Sequence, residues 1–164
     1  MSLSGFVSKN REMEPVEVFE ATLEDKSVVR QLLELYQYDF SEFVDADLDR
    51  HGTYGYQFLD NYWTEPDRHP FLFRVDGRWA GFALVRAGAP HDMAEFFVMR
   101  KYRRHGVGLV AARELFARFP GEWQVRQMAT NTPATNFWRR AIPDPFEEDR
   151  SDHGTVQRFS VPDR

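Results

Sequence analysis

The chain has 164 residues, of which 42% are hydrophobic and 15% aromatic, enough for one compact domain but not for two. It has no cysteine, which excludes disulfide frameworks, thiolate zinc sites and a catalytic thiol. The net charge of −5 argues against general nucleic-acid binding, and because there is no signal-peptide pattern and no apolar run of roughly 20 residues, we expect a cytoplasmic protein without a membrane partner.

The N-terminal half begins with a polar, aperiodic stretch. We expect residues 1–14 to be disordered and 15–164 to form the single domain. A strand is predicted at 16–21, and a helix from Thr22 to about Tyr38, because a Thr cap precedes apolar residues at spacings of three to four. Residues 39–49 hold five acidic and no basic residues. An aromatic helix is predicted at 54–63.

The remainder alternates strands with helices. Asp76-Gly77 separates two apolar runs, 71–75 and 79–85, which predicts a hairpin with a tight turn. Further strands are predicted at 93–99, 123–129, 146–150 and 155–161, and helices at 107–119 and 134–141. This order predicts an α/β (α+β) fold, with a mixed sheet of six or seven strands flanked by about four helices.

Basic residues are concentrated after the predicted strand at 93–99. Residues 1–89 hold 9 basic and 16 acidic residues, whereas 90–164 hold 12 and 10. The segment Tyr102-Arg103-Arg104-His105-Gly106-Val107-Gly108 leads from a strand into a helix, where free backbone amides and the helix dipole favour phosphate. An ordinary turn followed by a solvated basic helix would have the same pattern, so this loop alone is a weak signal.

Two motifs together carry a family resemblance. Val98, Tyr102, Arg103, Gly106, Val107 and Gly108 match the strand, loop and helix motif of the GNAT acyltransferases, although Arg104 replaces the usual first glycine of the loop. Asn131, 23 residues past Gly108, begins Asn-Thr-Pro-Ala-Thr-Asn-Phe-Trp, which resembles the family pattern Asn-x-x-Ala-x-x-Phe-Tyr. The sequence is therefore similar to the GNAT N-acetyltransferases over about residues 16–142, and it also resembles an uncharacterised subgroup of predicted acetyltransferases.

The resemblance implies a mostly antiparallel sheet that splays between its fourth and fifth strands, with acetyl-CoA as cosubstrate in the opening and no metal. The pyrophosphate would contact the amides of 103–108, and the pantetheine arm would follow Val98. The predicted cofactor-binding residues are Val98, Arg103, Arg104, His105, Gly106, Val107, Gly108, Asn131, Phe137 and Trp138. The five histidines show no metal-ligand spacing.

Chemistry in this family is direct attack of an amine on the thioester, assisted by proton removal. Glu95, on the fourth strand, is the first candidate base and Asp92 the second; the alternative for Glu95 is a carboxylate that only solubilises the strand. Trp138 stands where many members have a tyrosine that protonates the leaving thiolate, and an indole N–H has no usable acidity. Either another group such as Tyr36, Tyr38, Tyr54, Tyr56 or Tyr62, or water, protonates the sulfur, or this chain is slow or inactive.

The sequence thus predicts an N-acetyltransferase that acts on the primary amine of a small molecule or peptide. The acidic 39–49 segment would attract a cationic acceptor, unless it only keeps the protein soluble. The competing prediction is a non-catalytic acyl-CoA-binding sensor or interaction module. No nucleic-acid partner is expected, and a homodimer is compatible with the sequence.

Overall fold

A single seven-stranded sheet organises the computed structural model, which describes residues 15–164; the predicted disorder at 1–14 lies outside the described residues. The strand order is β1-β2-β3-β4-β5-β7-β6, and every neighbouring pair is antiparallel except β4 and β5, which are parallel. The strands are β1 (Val16–Glu20), β2 (Arg68–Val75), β3 (Arg78–Arg86), β4 (His91–Val98), β5 (Gly121–Gln127), β6 (Phe146–Ser151) and β7 (Gly154–Val161). The predicted mixed, mostly antiparallel sheet is confirmed.

Three α-helices flank the sheet: α1 (Lys26–Phe40), α2 (Val107–Arg118) and α3 (Thr132–Ala141). Short 3-10 helices occupy Leu23–Asp25, Asp60–Trp63 and Arg100–Tyr102. The turn that begins the first of these is held by the Asp25 carboxylate, which accepts a hydrogen bond of 2.9 Å from the backbone N–H of Thr22. This capping interaction fixes the entry into α1, as the Thr22 cap predicted.

The predicted aromatic helix at 54–63 is replaced by a loop and the 3-10 helix Asp60–Trp63. The backbone N–H groups of Tyr54 and Gly55 donate to the Glu34 carboxylate of α1, at 2.8 and 3.0 Å. Gly55 also has a φ of 71°, in the left-handed region, which an α-helix cannot accommodate. Tertiary hydrogen bonds to α1 therefore outweigh the local helical pattern.

The hairpin between β2 and β3 forms at the predicted turn. Asp76 and Gly77 both have positive φ values, 52° and 68°, as a type I′ turn requires.

Two hydrophobic cores lie on opposite faces of the sheet. One, beneath α2 and α3, includes Phe73, Phe116 and Trp123; the other, beneath α1, includes Leu33 and Phe82. Because successive side chains of a strand point to opposite faces, the hydrophobic residues of β4 are divided between the two cores. We call the two sides of the sheet the α2/α3 face and the α1 face.

Candidate active site

The sheet opens between β4 and β5. The two strands pair only near their beginnings, where His91 lies opposite Trp123 and Asp92 opposite Gln124. Beyond these pairs the strands part, which confirms the predicted splay. The opening gives access to unpaired backbone groups along the last residues of β4.

A β-bulge in β4 determines which side chain faces the α1 side of this opening. Leu84 of β3 pairs with Glu95 and Val85 pairs with Met93, so Ala94 is an extra residue without a partner. Met93 belongs to the core beneath α2 and α3, and regular alternation would place Glu95 on that same face. The bulge reverses the alternation and turns Glu95 toward the α1 face.

Glu95 lies beside two tyrosines on the α1 face. The Tyr56 hydroxyl donates to Glu95 Oε1 at 3.3 Å, and Tyr36 of α1 lies near the same carboxylate. Burial raises the pKa of Glu95, Tyr36 and Tyr56 oppose this effect, and the nearby Asp92 carboxylate adds to it. The net result is a pKa above the ordinary glutamate value, which makes Glu95 a better proton acceptor near neutral pH.

The surrounding tyrosines remain neutral hydrogen-bond donors. Burial, and then the charge of Glu95, raises the pKa of both Tyr36 and Tyr56. Burial raises the pKa of Tyr62 to about 12. The Tyr62 hydroxyl is buried and makes no hydrogen bond with the residues that the structure describes. An unpaired buried hydroxyl is costly unless a ligand or a water molecule occupies the space beside it.

Asp92, the second candidate base, lies near the beginning of β4. Burial raises its pKa above the ordinary aspartate value, and the positive charges of Arg126 and Arg86 oppose that rise. Asp92 also raises the pKa of Glu95, so the two carboxylates are electrostatically coupled. The structure therefore brings together the two residues that the sequence predicted as candidate bases.

The basic loop after β4 has the backbone geometry of an anion-binding turn. Arg104 and Gly106 have φ values of 64° and 79°, and Gly106 is the N-cap of α2. The N–H of Val110 donates to the Gly106 carbonyl, so the amides of Val107, Gly108 and Leu109 precede the first bonded turn and have no intrahelical acceptor. Free amides at the positive end of a helix dipole, beside left-handed residues, favour a phosphate group.

The Arg103 guanidinium, in contrast, is turned toward α1. Its Nε donates to the Val98 carbonyl at 2.8 Å, and the same guanidinium forms an ion pair with Asp39. Arg100 also donates to Asp39, through Nε at 2.9 Å. The Arg103 side chain thus already has two partners, whereas the side chains of Arg104 and His105 are exposed beside the loop. A phosphate contact from Arg103 stays a prediction.

Close packing joins the two sequence motifs. A Cβ atom built on Gly108 would lie 3.1 Å from the Phe137 ring and 3.4 Å from the Val98 side chain. The absence of a side chain at Gly108 therefore lets the first turn of α2 approach both α3 and the end of β4. The structure brings together Val98, Gly108 and Phe137, three of the predicted cofactor-binding residues.

The remaining two residues of the second motif have structural partners. Asn131 caps α3, because its side-chain oxygen accepts a hydrogen bond of 3.2 Å from the N–H of Ala134. Trp138 is only 5% exposed and packs in the core, with ring centroids 5.0 Å from Phe96 and 6.2 Å from Phe116. The predicted cofactor contacts of Asn131 and Trp138 stay predictions, and the indole of Trp138 has a clear packing role.

Within residues 15–164, no group of three or more His, Cys, Asp or Glu side chains could hold a metal ion. In the same residues, no helix has both the length and the apolarity needed to cross a membrane. A cavity of about 570 Å³ lies between the end of β1 and the beginning of β2, and Glu95 is not among the residues that line it. The charged groups that line it are already paired, Glu20 with His69 and Glu65 with Arg68, so the cavity offers few free polar groups.

Three charged residues near the site were not predicted from the sequence. Asp39 was counted only as part of an acidic segment, yet it binds two arginines of the loop. Arg86 and Arg126, which flank Asp92, lie outside both motifs. For Arg126 there was a signal: the alternation of buried Trp123, Val125 and Gln127 in β5 assigns Arg126 to the opposite face.

A splayed sheet with one parallel strand pair, followed by a helix whose free amides face the opening, defines an acyltransferase of the GNAT type. A family model described as the acetyltransferase (GNAT) family matches residues 29–142. The chain therefore belongs to the GNAT acetyltransferase family.

Solved structures with the same fold are similar to this chain at low sequence identity. An acetyltransferase from Thermus thermophilus has a TM-score of 0.69 at 15% identity, and the match covers 91% of this chain and 99% of that one. The PaiA N-acetyltransferase of Thermoplasma acidophilum, solved with coenzyme A, has a TM-score of 0.60 at 10% identity over 90% and 99% of the two chains. The ribosomal-protein-S18-alanine N-acetyltransferase of Escherichia coli has a TM-score of 0.62 at 13% identity over 90% and 94%. No curated protein sequence matches this chain.

Proposed function

We propose that this GNAT protein transfers an acetyl group from acetyl-CoA to a primary amine, with Glu95 as the base that accepts a proton from the amine. The observation that carries the proposal is the bulge at Ala94, which turns a partly buried carboxylate toward the α1 side of the splay. A solubilising glutamate needs neither burial nor a tyrosine donor, and Glu95 has both.

The geometry of the basic loop fits a pyrophosphate. The free amides of Val107 and Gly108, together with the left-handed Gly106, would hold the phosphate oxygens, and the exposed Arg104 and His105 would supply charge. The pantetheine arm would follow the end of β4 at Val98, and Asn131 and Phe137 of α3 would close the other side. The structure of a family member solved with coenzyme A supports the choice of this cofactor.

The thioester of the bound cofactor supplies the acetyl group. In the overall reaction the N–C bond forms, the C–S bond breaks, one proton passes from the amine nitrogen to Glu95 and is released to solvent, and the departing thiolate gains one proton to leave as coenzyme A. An ammonium ion has no lone pair, so attack needs the neutral amine. A carboxylate with a raised pKa is a stronger base than an ordinary carboxylate, and it therefore removes a proton from the nitrogen more effectively near neutral pH. Tyr56 positions the carboxylate by donating a hydrogen bond to it, and Tyr36 lies beside the same carboxylate.

Protonation of the departing sulfur needs no dedicated acid from α3. A thiol has an ordinary pKa of about 8.5, so a thiolate is a good leaving group and takes a proton from water or a nearby hydroxyl. Tyr36 and Tyr56, the hydroxyls nearest Glu95, are weaker acids than an ordinary tyrosine because their pKa values are raised, so water is the better proton donor. We therefore assign no catalytic proton transfer to Trp138.

The test is the pH dependence of kcat/KM for Glu95→Gln, measured as coenzyme A release with a panel of primary amines. We expect a loss of roughly 10² to 10⁴ at neutral pH, with partial recovery as pH rises and more free amine forms. In the wild type, the acidic limb should lie above the ordinary glutamate pKa of about 4.3, because Glu95 must be ionised. Glu147→Gln, on exposed β6, is the control. A loss below threefold with an unchanged pH profile would refute Glu95 as the base, and Asp92→Asn would then be the next variant.

A second function, a non-catalytic acyl-CoA-binding module, is favoured by one observation. The residue at the usual tyrosine position, Trp138, is buried in the core and carries no acid. Calorimetry with coenzyme A separates the two proposals when combined with the amine panel. Binding of coenzyme A without release of coenzyme A from acetyl-CoA, for any amine, would establish the module and refute the enzyme.

A further inference from the structure

A guanidinium lies across the splay from Glu95, on the same face of the sheet. In β5, the side chains of Trp123, Val125 and Gln127 are buried beneath α2 and α3, so Gln124 and Arg126 point to the α1 face. The α1 helix packs on β3, whereas α2 and α3 contact β5 from the other face. Arg126 is accordingly exposed.

Extension of the strand register beyond its last pair places Glu95 and Arg126 level with each other. Asp92 and Gln124 are the last paired residues of the parallel strands β4 and β5. Arg126 lies two residues beyond Gln124. Glu95 lies three residues beyond Asp92, but the bulge at Ala94 adds one of these residues without advancing the strand, so both lie about two strand positions past the last pair. Paired strands are about 4.8 Å apart and these two diverge, so the residues flank a gap wider than an ordinary strand spacing.

Arg126 has no ion-pair partner within residues 15–164, although its charge lowers the pKa of the nearby Asp92 against the effect of burial. Its neighbour on the same face, Arg158 of β7, is instead paired with Asp149. A guanidinium that flanks a reaction centre without a carboxylate partner is suited to bind a carboxylate in a bidentate manner.

Arg126 is separated from the basic loop. That loop leads into α2, whose buried side chains Ala111 and Leu115 belong to the core on the α2/α3 face. Arg126 points to the opposite face, the one that Glu95 shares. Its charge therefore acts on the acceptor side of the opening and not on the side where the pyrophosphate would bind.

We propose that the acceptor is an amino acid or a short peptide with a free carboxylate, which Arg126 binds while the amine reaches Glu95. This proposal rests on the proposed function. Two acids of the 39–49 segment that could attract a polycation are already engaged: Asp39 binds Arg100 and Arg103, and Asp49 accepts hydrogen bonds from the N–H groups of His51 and Thr53. Among the charged groups beside the splay, Glu95 would face the amine of the acceptor and Arg126, which has no ion-pair partner in residues 15–164, would face its carboxylate.

The test compares each of the common amino acids with its carboxamide, which keeps the amine and removes the carboxylate charge. The quantity measured is the ratio of kcat/KM for acid and amide, in the wild type, Arg126→Gln and Arg126→Lys. We expect the ratio to fall at least tenfold in Arg126→Gln, about 1.4 kcal/mol, mainly through KM, and to fall less in Arg126→Lys. Arg158→Gln should leave it within twofold. An unchanged ratio in Arg126→Gln, or a polyamine such as spermidine as the best acceptor, would overturn the proposal.

A separate binding measurement distinguishes failure of this proposal from failure of the proposed function. If no amine is turned over, the proposed function fails, and calorimetry of the amino acids against protein saturated with coenzyme A still tests Arg126. Binding that requires the carboxylate and is weakened at least tenfold by Arg126→Gln would uphold the carboxylate site. Absence of such binding would overturn it.

Discussion

Replacement of Trp138 by tyrosine tests whether the chain lacks a catalytic acid or has a packing residue in its place. The indole is 5% exposed, and its centroid lies 4.9 Å from that of Phe137 and 5.0 Å from that of Phe96, both in edge-to-face contact. Trp138→Tyr removes part of this packing and leaves a hydroxyl in an apolar core. Large-to-small core changes and an unpaired buried hydroxyl together cost about 2–4 kcal/mol.

The assay combines urea unfolding with coenzyme A release, on Trp138→Tyr and on Trp138→Phe as the matched control. The two variants remove similar volume, so the difference between their free energies of unfolding isolates the hydroxyl, for which we expect about 1–3 kcal/mol. We expect neither variant to gain activity, because the side chain at 138 points into the core. A rise of tenfold or more in kcat for the tyrosine variant alone, without loss of stability, would refute this assignment and show that residue 138 reaches the departing sulfur.

Three other changes probe the loop and the strands that form the opening. Gly106→Val forces a β-branched residue to a φ of 79° and should weaken coenzyme A binding at least tenfold in calorimetry, whereas Gly106→Asn, which tolerates this conformation, should bind within threefold. Gly81→Ala would put a Cβ 2.1 Å from the Phe97 carbonyl oxygen of β4. Chemical unfolding should show a loss of roughly 3 kcal/mol in the free energy of unfolding, and a loss below about 1 kcal/mol would contradict the strand geometry. Burial raises the pKa of Asp39, but its two arginine partners lower it by more, so the net shift is downward. Asp39→Asn should therefore cost up to about 1 kcal/mol of unfolding free energy at pH 7. That difference should vanish as pH falls below the ordinary aspartate pKa of about 3.9 and through the lower folded value, and a difference that persists at low pH would exclude the ion pairs as its cause.

Strands and α-helices were largely predictable because their signals are local. The hairpin at Asp76-Gly77 depends on two adjacent residues that tolerate positive φ, and α2 depends on apolar residues four apart. The segment 54–63 was predicted wrongly as a helix because its conformation depends on hydrogen bonds to Glu34, about 20 residues earlier in the chain. Contacts between distant residues leave no periodic signal in a single sequence.

In the candidate site, too, local features were predictable from the sequence and contacts between distant residues were not. Glu95 was predicted as a candidate base from its position three residues before Val98, but its orientation depends on the bulge at Ala94 and so on the pairing of β4 with β3. The engagement of Arg103 by Asp39 joins residues 64 apart and could not be predicted from the loop itself. Motif positions can therefore be assigned from the sequence, whereas the partners of each side chain require the fold.

Under the proposed function, the bulge in β4 would let one strand serve two ligands. Phe96 and Val98 face α2 and α3, where the loop amides favour phosphate, whereas Glu95 faces α1, where Tyr56 donates to it. A regular strand would have placed Glu95 on the same face as Met93, toward α2 and α3, and the proposed base would then have to be a different residue. One inserted residue thus separates the side proposed for phosphate from the side that Glu95 faces. The proposal needs the splay from β5 as well, because an amine beside Glu95 would have to pass between the two faces to reach a thioester bound along Val98.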